Sequence, residues 1–342
     1  MKNLSIIFLL LIASMASAQN ILRVNNTAGV NAPFTTLAAA ITAAGVNDII
    51  MLESSVTHYG SITIAKKVTI VGPGYLLNEN LSFQTTAIPA TIKNMTLNAG
   101  AEGTSVSGIT FNVSAGGTST GDCLTINGVS NVTISNCYWF NSRIVLTGTA
   151  NNLAFIGNYL GLGGVNAFTA TYTGTIFTNN HIYSLFLNTA ASPFTVTNNV
   201  IGGNNGAASG NELLNCDVRN NIFTGTAPIF NGTGSLFKNN VFVATGLHAS
   251  VTADGTNMLA AVLANTFLGL AGNTTDTQWK LKAGSPAIGF GESGVDCGMY
   301  GGTTPYRTSG IKTGQPTVTN FSSPASVPQN GTLNVKVSAK VN

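Results

Sequence analysis

A short phrase that returns through the chain constrains its fold more than any other feature. It reads apolar, variable, Asn or Gly, two variable positions, apolar. Four strong copies are Phe177-Thr178-Asn179-Asn180-His181-Ile182, Val196-Thr197-Asn198-Asn199-Val200-Ile201, Val218-Arg219-Asn220-Asn221-Ile222-Phe223 and Phe237-Lys238-Asn239-Asn240-Val241-Phe242, with starts 19, 22 and 19 residues apart. Weaker copies begin at Ile70, Ile92, Val106, Ile134, Phe155 and Val262. The two irregular intervals, 14 and 28 residues, sum to 42, or two ordinary repeats of about 21, so one phase carries through. Helical repeat families have longer units rich in Ala, Leu and charge. Only 7% of this chain is charged, against about 25% in an average soluble protein.

A unit of about 21 residues, holding two or three short β-runs divided by Gly and Asn, fits one turn of a parallel β-helix. Successive turns pair through their backbones about 4.8 Å apart, so equivalent side chains stack in columns. The first apolar position gives Ile70, Ile92, Val106, Ile134, Phe155, Phe177, Val196, Val218, Phe237 and Val262. The last gives Leu97, Phe111, Trp139, Leu160, Ile182, Ile201, Phe223, Phe242 and Phe267. Between them lie Asn94, Asn136, Asn179, Asn198, Asn220 and Asn239. Asn tolerates left-handed backbone at a tight bend, and stacked amides form hydrogen-bonded ladders. These asparagines are read as structural. Open solenoid ends need covers. Phe34, Leu37, Ala38 and Ile41 lie at helical spacing and predict a capping helix within 33–44. Ser285 to Gly302 predicts a loop-rich C-terminal cap, and 316–321 with 332–341 a small β-appendage.

Met1 to Ala18 reads as a secretory signal peptide: Lys2, an apolar run from Leu4 to Ile12, then Ala16-Ser17-Ala18 before Gln19. No later run of 18 residues is continuously apolar, so no transmembrane segment is expected. Removing Lys2 leaves 13 basic and 11 acidic residues, a charge of +2, too weak for nucleic-acid binding by bulk electrostatics. Cys123, Cys137, Cys216 and Cys297 have neither a Cys-x-x-Cys nor a zinc-type spacing. They are read as buried thiols rather than disulfides. The expected layout is signal peptide 1–18, N-terminal cap and first strands 19–60, β-helix with C-terminal cap 61–307, and linker with β-appendage 308–342.

The segments Ala32-Pro33-Phe34-Thr35-Thr36-Leu37, Asp48-Ile49-Ile50, Ile62-Thr63-Ile64 and Val68-Thr69-Ile70-Val71-Gly72 resemble the opening of right-handed parallel β-helix proteins of the pectate-lyase-like superfamily. Ser285-Pro286-Ala287-Ile288 with Asp296 to Gly302 resembles the close of its secreted bacterial members. The resemblance spans roughly 21–307. It implies an all-β, right-handed parallel β-helix of about ten turns with an N-terminal capping helix and a loop-rich C-terminal cap. Its lyases are expected to carry calcium-binding carboxylates with an Arg or Lys base, and its hydrolases clustered Asp residues. The fold also serves adhesins and non-enzymes.

The chain has 11 carboxylates, mostly solitary, with neither an Asp-Asp pair nor an Asp-rich calcium loop. Gly-x-Ser-x-Gly and the phosphate-binding Gly-Lys-Ser/Thr pattern are missing. The best charged constellation is Glu212, Asp217, Arg219 and Lys238. Arg219 and Lys238 share a register on consecutive turns, and Asp217 lies two residues from Arg219 on the same strand face. They are the candidate site, with Asp122 and Arg143 a lesser one. Tyr138 and Tyr159 share a register and are candidate ligand-binding residues, as an outward stacking platform or a partly buried ladder. Tyr172, Tyr183 and Trp279 are further aromatics that could stack on sugar. His181 is expected to point outward with no special role. The expectation is a secreted or cell-surface, monomeric, non-catalytic solenoid that binds a polysaccharide or another surface component. The alternative is a polysaccharide lyase or glycoside hydrolase. No metal or other cofactor is expected, and calcium enters only under the lyase alternative.

Overall fold

A computed structural model describes residues 19–81, 87–112, 121–167, 171–188, 193–203, 211–227, 229–311, 314 and 316–341. The signal peptide expected over 1–18 lies outside them. The chain winds into a right-handed parallel β-helix. Among the described residues, one side is an 11-stranded sheet running from Ile21–Val24 to Thr252–Ala253, and a 14-stranded sheet bends around the other two sides. Within these sheets every strand pairing is parallel and joins successive turns, as in Phe155↔Phe177↔Val196↔Val218↔Phe237.

Three inward columns build the core. On the first side Leu22, Ile50, Ile70, Val106, Ile134, Phe155, Phe177, Val196, Val218 and Phe237 stack in register, and the column ends at the exposed Ala253. On the second, Ile92, Phe111, Trp139, Leu160, Ile182, Ile201, Phe223 and Phe242 do so. A third runs through Ile64, Leu97, Ile126, Leu146, Ala167, Leu187 and Leu213. Aromatic neighbours adopt the turn spacing: the rings of Phe155 and Phe177 lie 4.7 Å apart at 4°, those of Phe223 and Phe242 4.6 Å apart at 4°. The expected columns hold at Ile70, from Val106 to Phe237 and from Phe111 to Phe242, but fail at Ile92, Leu97, Val262 and Phe267. Ile92 lies on the second side and Leu97 on the third, because the 36 residues from Ile70 to Val106 make one turn with a long excursion, not two turns. Val262 is 55% exposed ahead of a short helix, Leu263–Thr266, and Phe267 belongs to the same later segment.

The asparagine pairs divide two tasks. The first member turns the corner: Asn136, Asn179, Asn198, Asn220 and Asn239 have φ between 50° and 58°, with Gly108 and Gly157 at the equivalent place in other turns. Asn94, by contrast, lies within the strand Asn94–Leu97. The ladder forms one residue later, through Asn158, Asn180, Asn199, Asn221, Asn240 and Asn257. Asn199 Oδ1 accepts from both the backbone N and the Nδ2 of Asn180 at 2.9 Å, and Asn199 Nδ2 donates to the Phe177 carbonyl at 2.9 Å. The same bonds recur from turn to turn.

The N-terminal cap is α1 (Leu37–Ala43), capped by Thr36 Oγ1, which accepts from Ala39 N at 3.2 Å. Leu37, Ala40 and Ile41 are buried against the first turns, whereas Ala38 faces solvent. All four cysteines are buried, and none is in a disulfide. After covering the last turn, the C-terminal segment runs back along the solenoid as a strap over 259–311. Asn239 Nδ2 holds Phe290 O, Asn220 Oδ1 accepts from Glu292 N, Asn198 Nδ2 holds Asp296 O, and Asn179 Nδ2 holds Met299 O and Gly301 O, at 2.6–3.1 Å. The strap ends against Tyr75, whose hydroxyl donates to Tyr306 Oη at 2.7 Å and whose N donates to Ser309 O. Beyond it, Pro316–Ser322 and Lys336–Val341 form an antiparallel hairpin.

Replacing Asn199 by alanine strands two donors of Asn180 in the core and takes a donor from the Phe177 carbonyl. Unfolding in urea should show a loss of about 3 kcal/mol or more. A loss within about 0.5 kcal/mol, the range of an ordinary surface change, would deny the ladder its structural weight.

Candidate functional site

The outer face of the first side carries the charged site. In the strand Cys216–Arg219, Cys216 and Val218 point into the core, so Asp217 and Arg219 point outward. Arg219 lies in register with Lys238 on the next turn, and Asp217 with Leu236. Arg219 Nη2 meets Asp217 Oδ2 at 2.7 Å, as its spacing predicts. The fourth member is Glu292 rather than Glu212. Glu292 Oε2 accepts from Arg219 Nη1 at 2.7 Å and its Oε1 from Lys238 Nζ at 2.8 Å. Glu212 projects from the strand Asn211–Leu213 in the other sheet and accepts from Asn188 Nδ2 at 2.8 Å. Glu292 comes from a short 3-10 turn of the strap, fixed by its own N–H on Asn220. Pro193, Asn215 and Leu236 complete an open groove of about 360 Å³ around the four.

Each charge in the groove stabilises its partner. The bond from Glu292 raises the pKa of Lys238 and of Arg219, while the bonds from Lys238 and Arg219 lower that of Glu292. An amine serving as a base needs a lowered pKa, and a carboxyl serving as a general acid a raised one. Both shifts run the other way here. Nor do the carboxylates suit calcium, which takes six to eight oxygens: Asp217 and Glu292 are both turned onto Arg219, and no group of three metal-ligating side chains occurs among the described residues. The lesser pair, Asp122 and Arg143, forms an exposed ion pair at 2.9 Å.

Tyr138 and Tyr159 are in register on adjacent turns as expected, but they do not form an open platform. The strap covers them. Tyr159 is 3% exposed; its hydroxyl donates to Thr275 O and accepts from Trp279 Nε1, both at 3.0 Å. Tyr138 lies partly buried against Tyr75, with ring centres 5.7 Å apart. Trp279 is thus part of the cover, packed edge-on against Phe267, and Tyr172 lies in the core. His181 is buried between the Tyr159 ring, 4.4 Å away, and the Trp279 ring, 4.8 Å away, instead of pointing outward. The outward column Tyr138, Tyr159, His181, Val200, Ile222 and Val241 forms the floor under the strap. Its signal in the sequence is the doubled apolar ending of the phrase, Val200-Ile201, Ile222-Phe223 and Val241-Phe242, which marks strands buried on both faces.

No family model matches the chain, and no curated protein matches it. Among solved structures it is similar to a pectate lyase, Pel9A, with 16% identity and a TM-score of 0.40 over 84% of this chain and 98% of that one. It is also similar to the pectin methylesterase from Aspergillus niger in deglycosylated form, with 13% identity and a TM-score of 0.22 over 71% of this chain and 84% of that one.

Burial lowers the His181 pKa to about 4. The unfolded imidazole protonates near 6.5, so between these values the unfolded state binds more protons. Stability should therefore fall as pH drops from about 6.5 to 4 and be insensitive to His181 above that window. Denaturant midpoints measured across it should flatten in His181→Phe; an unchanged slope would place the pH response elsewhere.

Proposed function

We propose that this protein is a non-catalytic β-solenoid that binds an extracellular polysaccharide in the Asp217–Arg219–Lys238–Glu292 groove. The observation that carries this reading is the continuous chain of ion pairs from Asp217 through Arg219 and Glu292 to Lys238. Lys238 is held protonated and Glu292 ionised, so neither is poised to take or give a proton near neutral pH. What the four side chains offer is a rigid set of donors and acceptors on the outer face of a sheet. Guanidinium, ammonium and carboxylate groups at fixed spacing suit sugar hydroxyls, and the exposed Leu236 suits the apolar face of a sugar ring. The Met1–Ala18 segment supports export, which would bring the groove to such a polymer.

The experiment is a panel of acidic and neutral polysaccharides, with and without calcium, scoring retention and product formation together. Retention without products is expected, weakened about tenfold or more in Arg219→Ala, which removes the centre of the ion-pair chain. Turnover that disappears in Arg219→Ala or Asp217→Ala would replace this reading with a lyase or hydrolase.

A further inference from the structure

The charge balance of the groove bears on which polysaccharide it takes. Two cations, Arg219 and Lys238, face two carboxylates, Asp217 and Glu292, in three ion pairs of 2.7–2.8 Å. A third carboxylate, Asp254, stands beside Lys238 on the following turn, where its backbone N donates to Phe237 O at 3.4 Å and its carboxylate accepts from Thr256. Three negative charges therefore face two positive ones. A polymer with a carboxylate or sulfate on each sugar would meet Arg219 and Lys238 already neutralised by Asp217 and Glu292. Each added anion would then lie beside those carboxylates with no cation left to balance it.

We propose that the groove selects a neutral polysaccharide and rejects polyanions. The proposal rests on the reading of this groove as a glycan site. Neutral hydroxyls accept from Arg219 and Lys238 and donate to Asp217 and Glu292 without breaking any ion pair. Leu236, 44% exposed on the strand beside Asp217, supplies the apolar contact that the C–H face of a neutral sugar ring prefers. On the preceding turn the same outward positions are Thr195 and Thr197, in register with Asp217 and Arg219. A chain running along the solenoid axis thus leaves the groove across hydroxyls, not cations.

The test uses the full chain in affinity electrophoresis and calorimetry against neutral glucans, xylans, mannans and galactans, and against polygalacturonate and alginate. Binding to at least one neutral polymer is expected, changing less than about twofold between low salt and about 0.5 M NaCl. The double variant Asp217→Asn/Glu292→Gln leaves Arg219 and Lys238 facing Asp254 alone. It should gain polygalacturonate binding about tenfold or more, and that binding should fade with salt. Tight, salt-sensitive binding of a polyuronate by the unaltered protein, lost in Arg219→Ala, would overturn the neutral selectivity and leave the glycan groove standing. No binding of either class, or neutral binding indifferent to Arg219→Ala and Leu236→Asp, would overturn both.

Discussion

The structure depends on how each turn meets its backbone hydrogen bonds at the corner between its first and second sides. There the chain bends sharply and leaves the regular pairing of either sheet. The buried amides of Asn158, Asn180, Asn199, Asn221 and Asn240 and the partly buried one of Asn257 take over, each accepting from the preceding turn and all but Asn257 donating to the next ladder amide. Buried polar groups are tolerable only when satisfied. Here satisfaction requires the neighbouring turn to carry the same residue in the same place. That mutual requirement fixes the register of the columns, and through it the outward placement of Asp217, Arg219 and Lys238.

The corner also explains why asparagine comes in pairs. The first residue must adopt a positive φ, which glycine meets equally well at Gly108 and Gly157. Where the strap passes over, asparagine adds side-chain bonds that glycine lacks: Asn179, Asn198, Asn220 and Asn239 all hold strap backbone. One residue type thus turns the chain, and its neighbour joins the turns. The strap in turn delivers Glu292 and buries Tyr159 and His181.

Much of the fold was legible in the sequence because a solenoid repeats its constraints at nearly constant intervals. The columns from Val106 to Phe237 and from Phe111 to Phe242 follow directly from that period. Ile92 and Leu97 were misassigned because a 36-residue turn imitates two shorter ones when only spacing is counted. The candidate site was half legible. Asp217, Arg219 and Lys238 share a strand face or a register, relations that periodicity reveals. Glu292 reaches them from 73 residues beyond Arg219 through the return of the strap, and no local pattern records that return. The same return turned Tyr138, Tyr159 and His181 from a surface into a floor, although the doubled apolar endings already carried its mark.

The strap has a further consequence. Solenoids ordinarily behave as one-dimensional arrays, in which a unit can be gained or lost at the cost of one interface. Here the strap spans the stack from Asn239 back to Tyr75, so it acts as a ruler. An inserted turn would lengthen the stack by about 4.8 Å, and the strap would need one or two extra residues to match. It would also part Glu292 from Arg219 or Tyr306 from Tyr75 unless both changes arose together. Duplication of the repeat within the strapped turns, the easy evolutionary route for such folds, therefore requires a matching change in the segment that measures them.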